Sequence, residues 1–335
     1  MLVLPKFIGT MATRNLVLTT PGSKLGATIL FVANGRTWTV DDAVASAAAR
    51  GTLEPAIHET LTLIAAEERA GEEGVEPDQQ SLQKQSEKFR YDHDLISAGE
   101  TEDWFAARGM TLDDFGGWLY QRLCADVLGF DGEDDDAPED FPDRLRIHLW
   151  LSGRMSDIER ELRHRVASQI ELSSRGETIN GDVAYDRLRS EAVNDDARKR
   201  KLAQSQMSLI KVEIDALELD TEEAAREACL CVREDQTTLA EVAKDIGYHD
   251  THDEVWIDAL DDTIARRLAG AAAGDVIGPV KVEDHYKVTQ LLRRVEPSLD
   301  HPDVVRRIDE MLVDEFFDDL SSRHTQNADP AKTEK

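Results

Sequence analysis

AAAGDVIGPVKVEDHYKV, residues 271–288, combines the end of a helix, two strand patterns and a tight turn. Gly274 follows three alanines and suits the left-handed residue that commonly closes a helix. Because Pro279 cannot donate to a β-ladder, the strand that contains Gly278 and Pro279 lies at an edge, is kinked or begins at the proline. After the turn, residues alternate from Tyr286 to Leu291 as they do in a half-buried strand.

The residues upstream of this run predict one strand and three helices. The alternating sequence KVEIDALEL predicts a strand, and the threonine that follows it is suited to cap a helix. The predicted elements are the strand Lys211–Leu219, a helix from Thr221 to about Asp235, a helix over Thr237–Ile246 and a helix over Asp262–Ala273. With the two downstream strands the order is β-α-α-α-β-β, which predicts an α+β domain over residues 206–297.

This order, with Gly-Pro-Val in one strand and a tyrosine in the next, resembles the C-terminal half of parvulin-type peptidyl-prolyl isomerase domains. The resemblance implies a parvulin-like fold with a pocket for a proline-containing peptide. The residues that it implies as the lining of the pocket are Trp256, Leu260, Ile264, Leu268 and Tyr286. Tyr286 is also the residue that it implies as a catalytic candidate.

Departures from the parvulin pattern argue against efficient catalysis. The family places one histidine in the first strand and another after the tyrosine, whereas here the first strand has none and Lys287 follows Tyr286. Ile264 and Leu268 stand where the family has methionine and phenylalanine on the third helix. Rotation about a prolyl bond, with a barrier of roughly 20 kcal/mol, needs desolvation and a hydrogen bond that weakens amide resonance. We therefore expect a degenerate domain that binds peptide with weak or no isomerase activity.

The N-terminal third of the chain predicts a hairpin followed by helices. Asn34-Gly35 is a strong hairpin signal between an apolar strand, Ala27–Ala33, and a return strand, Arg36–Thr39. The predicted helices are Val40–Ala49, Leu53–Ala70, Asp78–Asp94, Thr101–Arg108 and Thr111–Leu128. The segments ANGRTWTVDDA (33–43) and WFAARGMTLDDF (104–115) resemble the N-terminal and helical domains of SurA-type chaperones. The resemblance implies a chaperone-like helical lobe over residues 1–130.

Four aromatic residues on the last two predicted helices of this lobe are candidates for an apolar peptide groove: Trp104, Phe105, Phe115 and Trp118. A helical stripe of aromatics also forms a core, and the sequence leaves both interpretations open. A long amphipathic helix, Val304–Leu320, would expose an apolar stripe if it stood alone. By the resemblance, this C-terminal segment folds back onto the N-terminal lobe and completes it.

The remaining boundaries follow from composition and periodicity. Residues 131–142, DGEDDDAPEDFP, are acidic and interrupted by prolines, which favours a solvated linker. Residues 143–205 predict a helical connector, residues 298–324 the C-terminal helix, and residues 325–335 a disordered polar tail. The predicted fold class is α+β and mostly α-helical, with a SurA-like helical lobe and a parvulin-like domain.

The charge of the chain limits its classes of partner. The 335 residues include 39 Lys and Arg against 68 Asp and Glu, a formal net charge of -29. Such a surface repels phosphate backbones and anionic membranes, so the sequence predicts no nucleic-acid partner and no membrane partner. Neutral or basic peptides fit this surface better. A halophilic host would give the same charge.

Cysteine, histidine and hydropathy patterns predict no cofactor site. The chain has three cysteines, Cys124, Cys229 and Cys231, which are too few and too irregular for a disulfide framework, so we expect a cytoplasmic protein. No run of 18 apolar residues is present, so we expect no membrane-spanning helix. His249 and His252 in YHDTHDE form the tightest histidine group, but the parvulin pattern puts them in a loop. We expect no metal and no cofactor.

Together these patterns predict a protein that holds an unfolded or precursor peptide in an extended form, as a chaperone or as an accessory protein for a modifying enzyme. Two alternatives stay open. An active isomerase would need polar groups that converge around Tyr286 on an apolar pocket. A structural subunit of a larger enzyme complex would use the same apolar surfaces to bind one fixed partner.

Overall fold

A computed structural model describes residues 18, 22–130, 132, 137–235, 237–282 and 284–328. These residues form two compact units. The helical unit comprises the chain up to Tyr185 together with the segment from Phe317 onward, and the sheet unit comprises Asp186–Phe316. The fold is α+β and mostly α-helical with two small antiparallel sheets, which confirms the predicted fold class.

The described residues up to Ala192 contain one hairpin and nine helices. Its elements are α1 (Lys24–Ala27), β1 (Ile29–Ala33), β2 (Arg36–Thr39), α2 (Val40–Ala49), α3 (Glu54–Glu73), α4 (Gln79–Asp92), α5 (Ala98–Ala106), α6 (Leu112–Leu128), α7 (Phe141–Leu151), α8 (Arg154–Ser174) and α9 (Gly181–Ala192). Asn34 and Gly35 have φ angles of 49° and 74°, as the predicted two-residue hairpin turn requires.

The second half contains the larger sheet. Its elements are α10 (Asp195–Gln204), β3 (Lys211–Leu219), α11 (Glu222–Glu234), α12 (Leu239–Ile246), β4 (Asp250–Trp256), a 3-10 turn (Ile257–Ala259), α13 (Asp262–Ala269), β5 (Val276–Val282), β6 (His285–Val295), α14 (Pro302–His324) and β7 (Thr325–Asn327). The strand order is β4-β3-β6-β5, and all neighbours are antiparallel.

Local capping signals explain where several helices begin. Thr39 with Asp42, and Thr111 with Asp114, form the reciprocal hydrogen bonds of a capping box. Helix α5 begins at Ala98, three residues before the predicted start, because Ser97 and Glu100 form a third capping box. In that box the Ser97 amide donates to Glu100 Oε2 over 2.7 Å.

The sheet unit differs from the predicted order by one strand. Residues 248–261 were expected to be a loop, but β4 lies within them and pairs with β3 along its whole length. This strand has no apolar alternation because it is an edge strand whose first five residues are mostly exposed. Helix α13 ends at Ala269 rather than Ala273, and Gly274 instead has a φ of 94° in the loop that leads into β5.

The boundaries at residues 130 and 205 also differ from the structure. Of the expected linker, residues 131 and 133–136 lie outside the described residues, and Phe141 begins α7 with its side chain 1% exposed. Helices α7 and α8, expected to be part of a connector, belong to the helical unit because their apolar stripe packs against β1, α2 and α3. The core residues that they contribute include Leu145, Leu149, Met155, Leu162 and Val166.

The C-terminal segment contributes to both units. Val304 and Ile308 of α14 pack against Leu209 in the sheet unit. From Phe317 onward the chain belongs to the helical unit, where the Phe317 ring stacks on Tyr185 with 4.4 Å between centroids. Residues 325–327, expected to begin a disordered tail, form β7 and pair with β1, while residues 329–335 lie outside the described part.

A fully buried arginine of α7 connects this helix with α2 and with the chain at Leu18. Arg146 of α7 is 0% exposed. Its Nε donates to Asp41 Oδ1 over 2.9 Å, its Nη1 donates to Asp143 Oδ1 over 2.9 Å, and its Nη2 donates to the Leu18 carbonyl over 3.0 Å. Since every part of the guanidinium has an acceptor, the buried charge is compensated.

Candidate functional site

A cleft of about 540 Å³ opens in the helical unit beside Trp118. Three helices supply its walls through positions three or four residues apart, which lie on one helical face. They are Glu59, Thr62 and Leu63 of α3, Trp118 and Arg122 of α6, and His148 and Leu151 of α7. The volume lies within the range of small-molecule and peptide side-chain pockets. We call this cavity the Trp118 cleft.

A chain of polar contacts crosses the wall of the Trp118 cleft. Trp118 Nε1 donates to His148 Nδ1 over 3.2 Å. An indole nitrogen is only a donor, so His148 Nδ1 is an acceptor and Nε2 carries the proton. Nε2 then donates to Glu59 Oε2 over 3.2 Å, and Glu59 is also ion-paired with Arg154.

His148 is held neutral by this environment. The side chain is 4% exposed, and burial is the main cause that lowers its pKa, with Arg154 acting in the same direction and Glu59 opposing it. A buried neutral imidazole with both nitrogens hydrogen-bonded is a fixed polar wall rather than a free base. We infer that the group orients Trp118 and Glu59 at the cleft.

The cleft has an apolar floor with a few groups that can bond a ligand. Leu63 and Leu151 are apolar, and the Arg122 guanidinium lies 4.8 Å from the Trp118 ring centroid. The Thr62 hydroxyl is buried and has no hydrogen-bond partner among the described residues. Buried polar groups normally have partners, so a hydroxyl without one is a candidate ligand contact. This combination suits an apolar side chain attached to a polar backbone.

The four predicted groove residues have different surroundings. Phe105 and Phe115 are buried at 1% and 5% exposure and pack around Phe89, with centroid distances of 6.0 and 4.7 Å. Trp104 is partly buried beneath Arg108, whose guanidinium carbon lies 3.7 Å from the centroid of the Trp104 ring. Phe105 also lines a smaller cavity of about 260 Å³. Trp118 alone of the four lines the larger cleft, and the others mainly build the core.

The five predicted proline-pocket residues lie in three separate clusters of the sheet unit. Ile264 and Leu268 are buried at 2% and 0% exposure, and with Leu260 they pack on Val212, Ile214 and Leu291. Trp256 packs instead with Val304 and Ile308, and Tyr286 packs with the cluster under α11 and α12. The structure therefore brings together three of the five, and these three fill the space with aliphatic side chains.

The strand positions discussed for catalysis carry no histidine pair. Strand β3 contains none, and in register Ala216 is opposite Thr289 and Glu218 is opposite Lys287. Lys287 Nζ donates to Glu218 Oε1 over 3.4 Å. The Thr289 hydroxyl is buried without a hydrogen-bond partner among the described residues.

One of the two histidines of YHDTHDE lies in the strand that replaces the expected loop. His249 precedes β4, while His252 Nδ1 lies 2.8 Å from Asp215 Oδ1 and its Nε2 lies 3.5 Å from Glu213 Oε1. The hydrogen bond to Asp215 raises the pKa of His252. Among the described residues, no group of three or more His, Cys, Asp or Glu is arranged to hold a metal ion.

Sequence reasoning missed His148 and the hydrogen bonds that join it to Trp118 and Glu59. The burial of His148 could be read from the apolar run IHLWL that surrounds it, but Glu59 is 89 positions away and Trp118 is 30 positions away. No short motif joins residues at these separations. None of the described helices combines the length and the apolar character that crossing a bilayer requires.

Comparison with known proteins gives similarity to solved structures only. No family model matches the chain, and no curated protein matches it by sequence. The foldase PrsA from Streptococcus pneumoniae is 12% identical, with 92% of this chain and 98% of that chain covered and a TM-score of 0.36. PrsA from Lactococcus lactis is 10% identical, with 91% and 96% covered and a TM-score of 0.30.

A third similar structure comes from a study of PEB4 and Cj1289, two SurA-like chaperones of Campylobacter jejuni. It is 11% identical, with 68% of this chain and 90% of that chain covered and a TM-score of 0.22. Identities and TM-scores this low carry no argument about activity.

Proposed function

We propose that the protein binds extended segments of an unfolded or precursor peptide, with weak or no isomerase activity, and that the Trp118 cleft anchors an apolar side chain of the peptide. The observation that carries this proposal is the cleft itself, with its apolar floor, its stacked Arg122 and the Thr62 hydroxyl, which has no partner in the part of the chain that the structure describes. A peptide offers both an apolar side chain and backbone acceptors, so it complements such a lining.

The proposal also covers the charge of the peptide, the cellular location of the protein and the enzyme that it serves. The net charge of -29 favours neutral or basic peptide segments over acidic ones. A cytoplasmic location suits the small number of cysteines, which are all unpaired. We propose that the partner which receives the held peptide is a peptide-modifying enzyme.

A second candidate function is a structural subunit of a larger complex. The burial of Phe105 and Phe115 favours it, because residues that form the core of the unit are not free to contact a changing set of peptides. Under this hypothesis the cleft would receive one side chain of one fixed partner. The two functions predict different results with unrelated peptides.

The experiment measures binding and isomerisation on the same preparation. A fluorescent unfolded peptide is titrated against the protein by polarisation, and a proline-containing peptide is assayed for cis-trans exchange. We expect saturable binding and no isomerisation above the uncatalysed rate. Arg122→Ala, which removes an exposed group at the cleft, should weaken binding about tenfold. The control is Arg69→Ala, which removes an exposed arginine of α3 outside the cleft and should leave binding unchanged.

Each other outcome points to one alternative. Isomerisation that disappears in Tyr286→Ala would overturn the peptide-holding proposal and restore the enzyme. If unrelated peptides neither bind nor isomerise, the structural-subunit function takes its place, and capture of the partner with wild-type and Arg122→Ala protein becomes the next comparison.

A further inference from the structure

A second cavity, of about 690 Å³, opens at the β5 edge of the sheet unit. Its walls come from the C-terminal ends of α11 and α13 and from the loop between α13 and β5. None of the five residues predicted for the proline pocket lines it. The cavity is therefore a separate feature of this unit, and we call it the β5-edge cavity.

Two arginines, Arg233 and Arg267, face the β5-edge cavity, and neither has a carboxylate partner among the described residues. Arg233 Nη2 donates to the Val276 carbonyl over 3.0 Å, which fixes the guanidinium at the β5 edge. The guanidinium of Arg267 has no hydrogen bond or ion pair among the described residues. Such arginines are informative in a chain with 68 acidic and 39 basic residues, where an acidic neighbour is easily available.

The acidic residue in the lining is already engaged. Asp275 Oδ2 accepts a hydrogen bond from the Ala272 amide over 2.8 Å, so this carboxylate holds the loop. It also places one negative charge beside the two arginines. Two guanidinium groups and one carboxylate leave the lining with a net positive charge of about one, which a ligand with a single negative charge neutralises.

The rest of the lining is small or aliphatic. Gly270 and Gly274 leave the main chain uncovered, and a Cβ on Gly274 would meet nothing within 4 Å. Val232, Val276 and Ile277 provide apolar surface next to the arginines. A ligand that matches both parts carries an anionic group and an aliphatic group close together.

We propose that the β5-edge cavity binds a carboxylate carried next to an aliphatic side chain, as at the C-terminus of an extended peptide. Guanidinium groups bind carboxylates through paired, charge-assisted hydrogen bonds, and two of them from different helices can bind one carboxylate from both sides. The identity of the ligand as a peptide rests on the proposed function, whereas the carboxylate specificity rests on this cavity alone.

The direct test uses a small probe and nuclear magnetic resonance. N-acetyl-L-leucine is titrated into ¹⁵N-labelled protein while the arginine Nε–H signals and the Gly274 amide are followed. N-acetyl-L-leucinamide lacks the charge, and inorganic phosphate lacks the aliphatic group. We expect the carboxylate to shift the signals of Arg233, Arg267 and Gly274, the amide to shift none of them, and phosphate to bind more weakly than the carboxylate.

Two neighbouring arginines provide a matched pair of variants. Arg267→Ala should weaken binding of N-acetyl-L-leucine about tenfold, as expected for the loss of one charged hydrogen-bonding partner. Arg266→Ala is the control, because Arg266 precedes Arg267 on the same exposed last turn of α13, lies outside the lining and donates from Nε to the Asp262 carbonyl over 3.0 Å. Equal losses in both variants, equal shifts with the amide, or tighter binding of phosphate would overturn the proposal.

A peptide titration separates this proposal from the peptide-holding function. A peptide ending in leucine is compared with its C-terminally amidated form on wild-type protein. Equal affinities that both fall in Arg122→Ala would overturn the carboxylate site and leave the peptide-holding function standing. Binding of N-acetyl-L-leucine without binding of any peptide would support the site and count against the function.

Discussion

The Trp118 cleft of the helical unit and the Ile264–Leu268 cluster of the sheet unit arise from the same kind of sequence pattern and have opposite outcomes. Large apolar residues on helices contribute to both. In the sheet unit, Leu260, Ile264 and Leu268 close on the strands and fill the space. In the helical unit, a buried histidine and an ion-paired glutamate form part of the wall, and a cavity of about 540 Å³ stays open.

The difference shows what an apolar periodicity predicts. It predicts which residues leave water, but not whether they meet one another or leave a cavity. Aliphatic side chains pack to high density when nothing polar must be accommodated. Polar groups with fixed hydrogen bonds, such as His148 and Glu59, cannot collapse in this way because their partners define their positions.

The largest expected effect concerns the buried charge of the helical unit. Arg146→Met removes a guanidinium that four hydrogen-bonding contacts hold and leaves Asp41 and Asp143 without it. We expect the free energy of unfolding to fall by about 3–5 kcal/mol, because a carboxylate partly buried without its partner is costly. Urea unfolding gives the size of the loss. Hydrogen exchange should show that lost protection is concentrated in the helical unit.

Arg144→Met is the matched control, two residues away on the same helix. Arg144 is half-exposed and contacts Asp140 and Glu67 at the surface, so its removal should cost less than about 1 kcal/mol. If the two variants were equally stable, burial would not distinguish these arginines, and the polar interior of the helical unit would lose its structural role.

The second-largest expected effect tests whether the Ile264–Leu268 cluster of the sheet unit is a core or a pocket. Leu268→Ala should reduce the free energy of unfolding by about 2–5 kcal/mol, because the side chain is fully buried among aliphatic neighbours and leaves a cavity. Peptide affinity at a temperature where the variant is folded should be unchanged. Urea unfolding measures the free energy of unfolding, and fluorescence polarisation measures the peptide affinity.

Leu230→Ala gives the comparison for an exposed leucine of the same unit, since Leu230 of α11 is 52% exposed. Its effect on stability should stay within about 0.5 kcal/mol. A Leu268→Ala protein that is as stable as Leu230→Ala but binds peptide less tightly would show that Leu268 faces an accessible pocket after all.

Much of the fold could be predicted because its signals are local. Asn34-Gly35 and the capping boxes at Thr39 and Thr111 depend on residues within three positions, and the structure contains each of them. Strand β4 could not be predicted in this way because its charged residues lie at an edge and show no apolar alternation. Its position is set by pairing with β3, more than thirty residues earlier.

The sites were harder to predict than the fold for the same reason. Trp118 was identified as a groove residue, but the partner that makes it part of a cleft, His148, was not. A charged residue in a helix is usually read as exposed, so the burial of Arg146 contradicts the ordinary rule, whereas the apolar run around His148 indicates only that this side chain is buried. Partners far away in sequence, such as Asp41 for Arg146 and Glu59 for His148, help to compensate that burial.

The smallest effect has opposite signs in the two units and comes from two histidines. Burial lowers the pKa of His148, so the unfolded chain binds the proton more tightly, and the stabilisation is full above the ordinary value of about 6.5 and is lost as the pH falls through the folded pKa. The bond to Asp215 raises the pKa of His252, so its stabilisation is full below that value and is lost as the pH rises through the folded pKa.

Imidazole carbon-proton signals followed from pH 4 to pH 9 (roughly the range in which histidine titrates) measure both values in one protein. We expect His148 to titrate below the unfolded value and His252 above it, with Asp215→Asn bringing His252 back toward it. His249→Gln is the control for removing a histidine near the β4 edge, and it should leave the titration of His252 in place. If His148 instead titrated above neutral pH, it would be charged at neutral pH with Glu59 as its counter-ion. His148 Nδ1 would then be a donor and could not accept from Trp118, so the polar wall that distinguishes the Trp118 cleft from the sheet-unit cluster would need a different explanation.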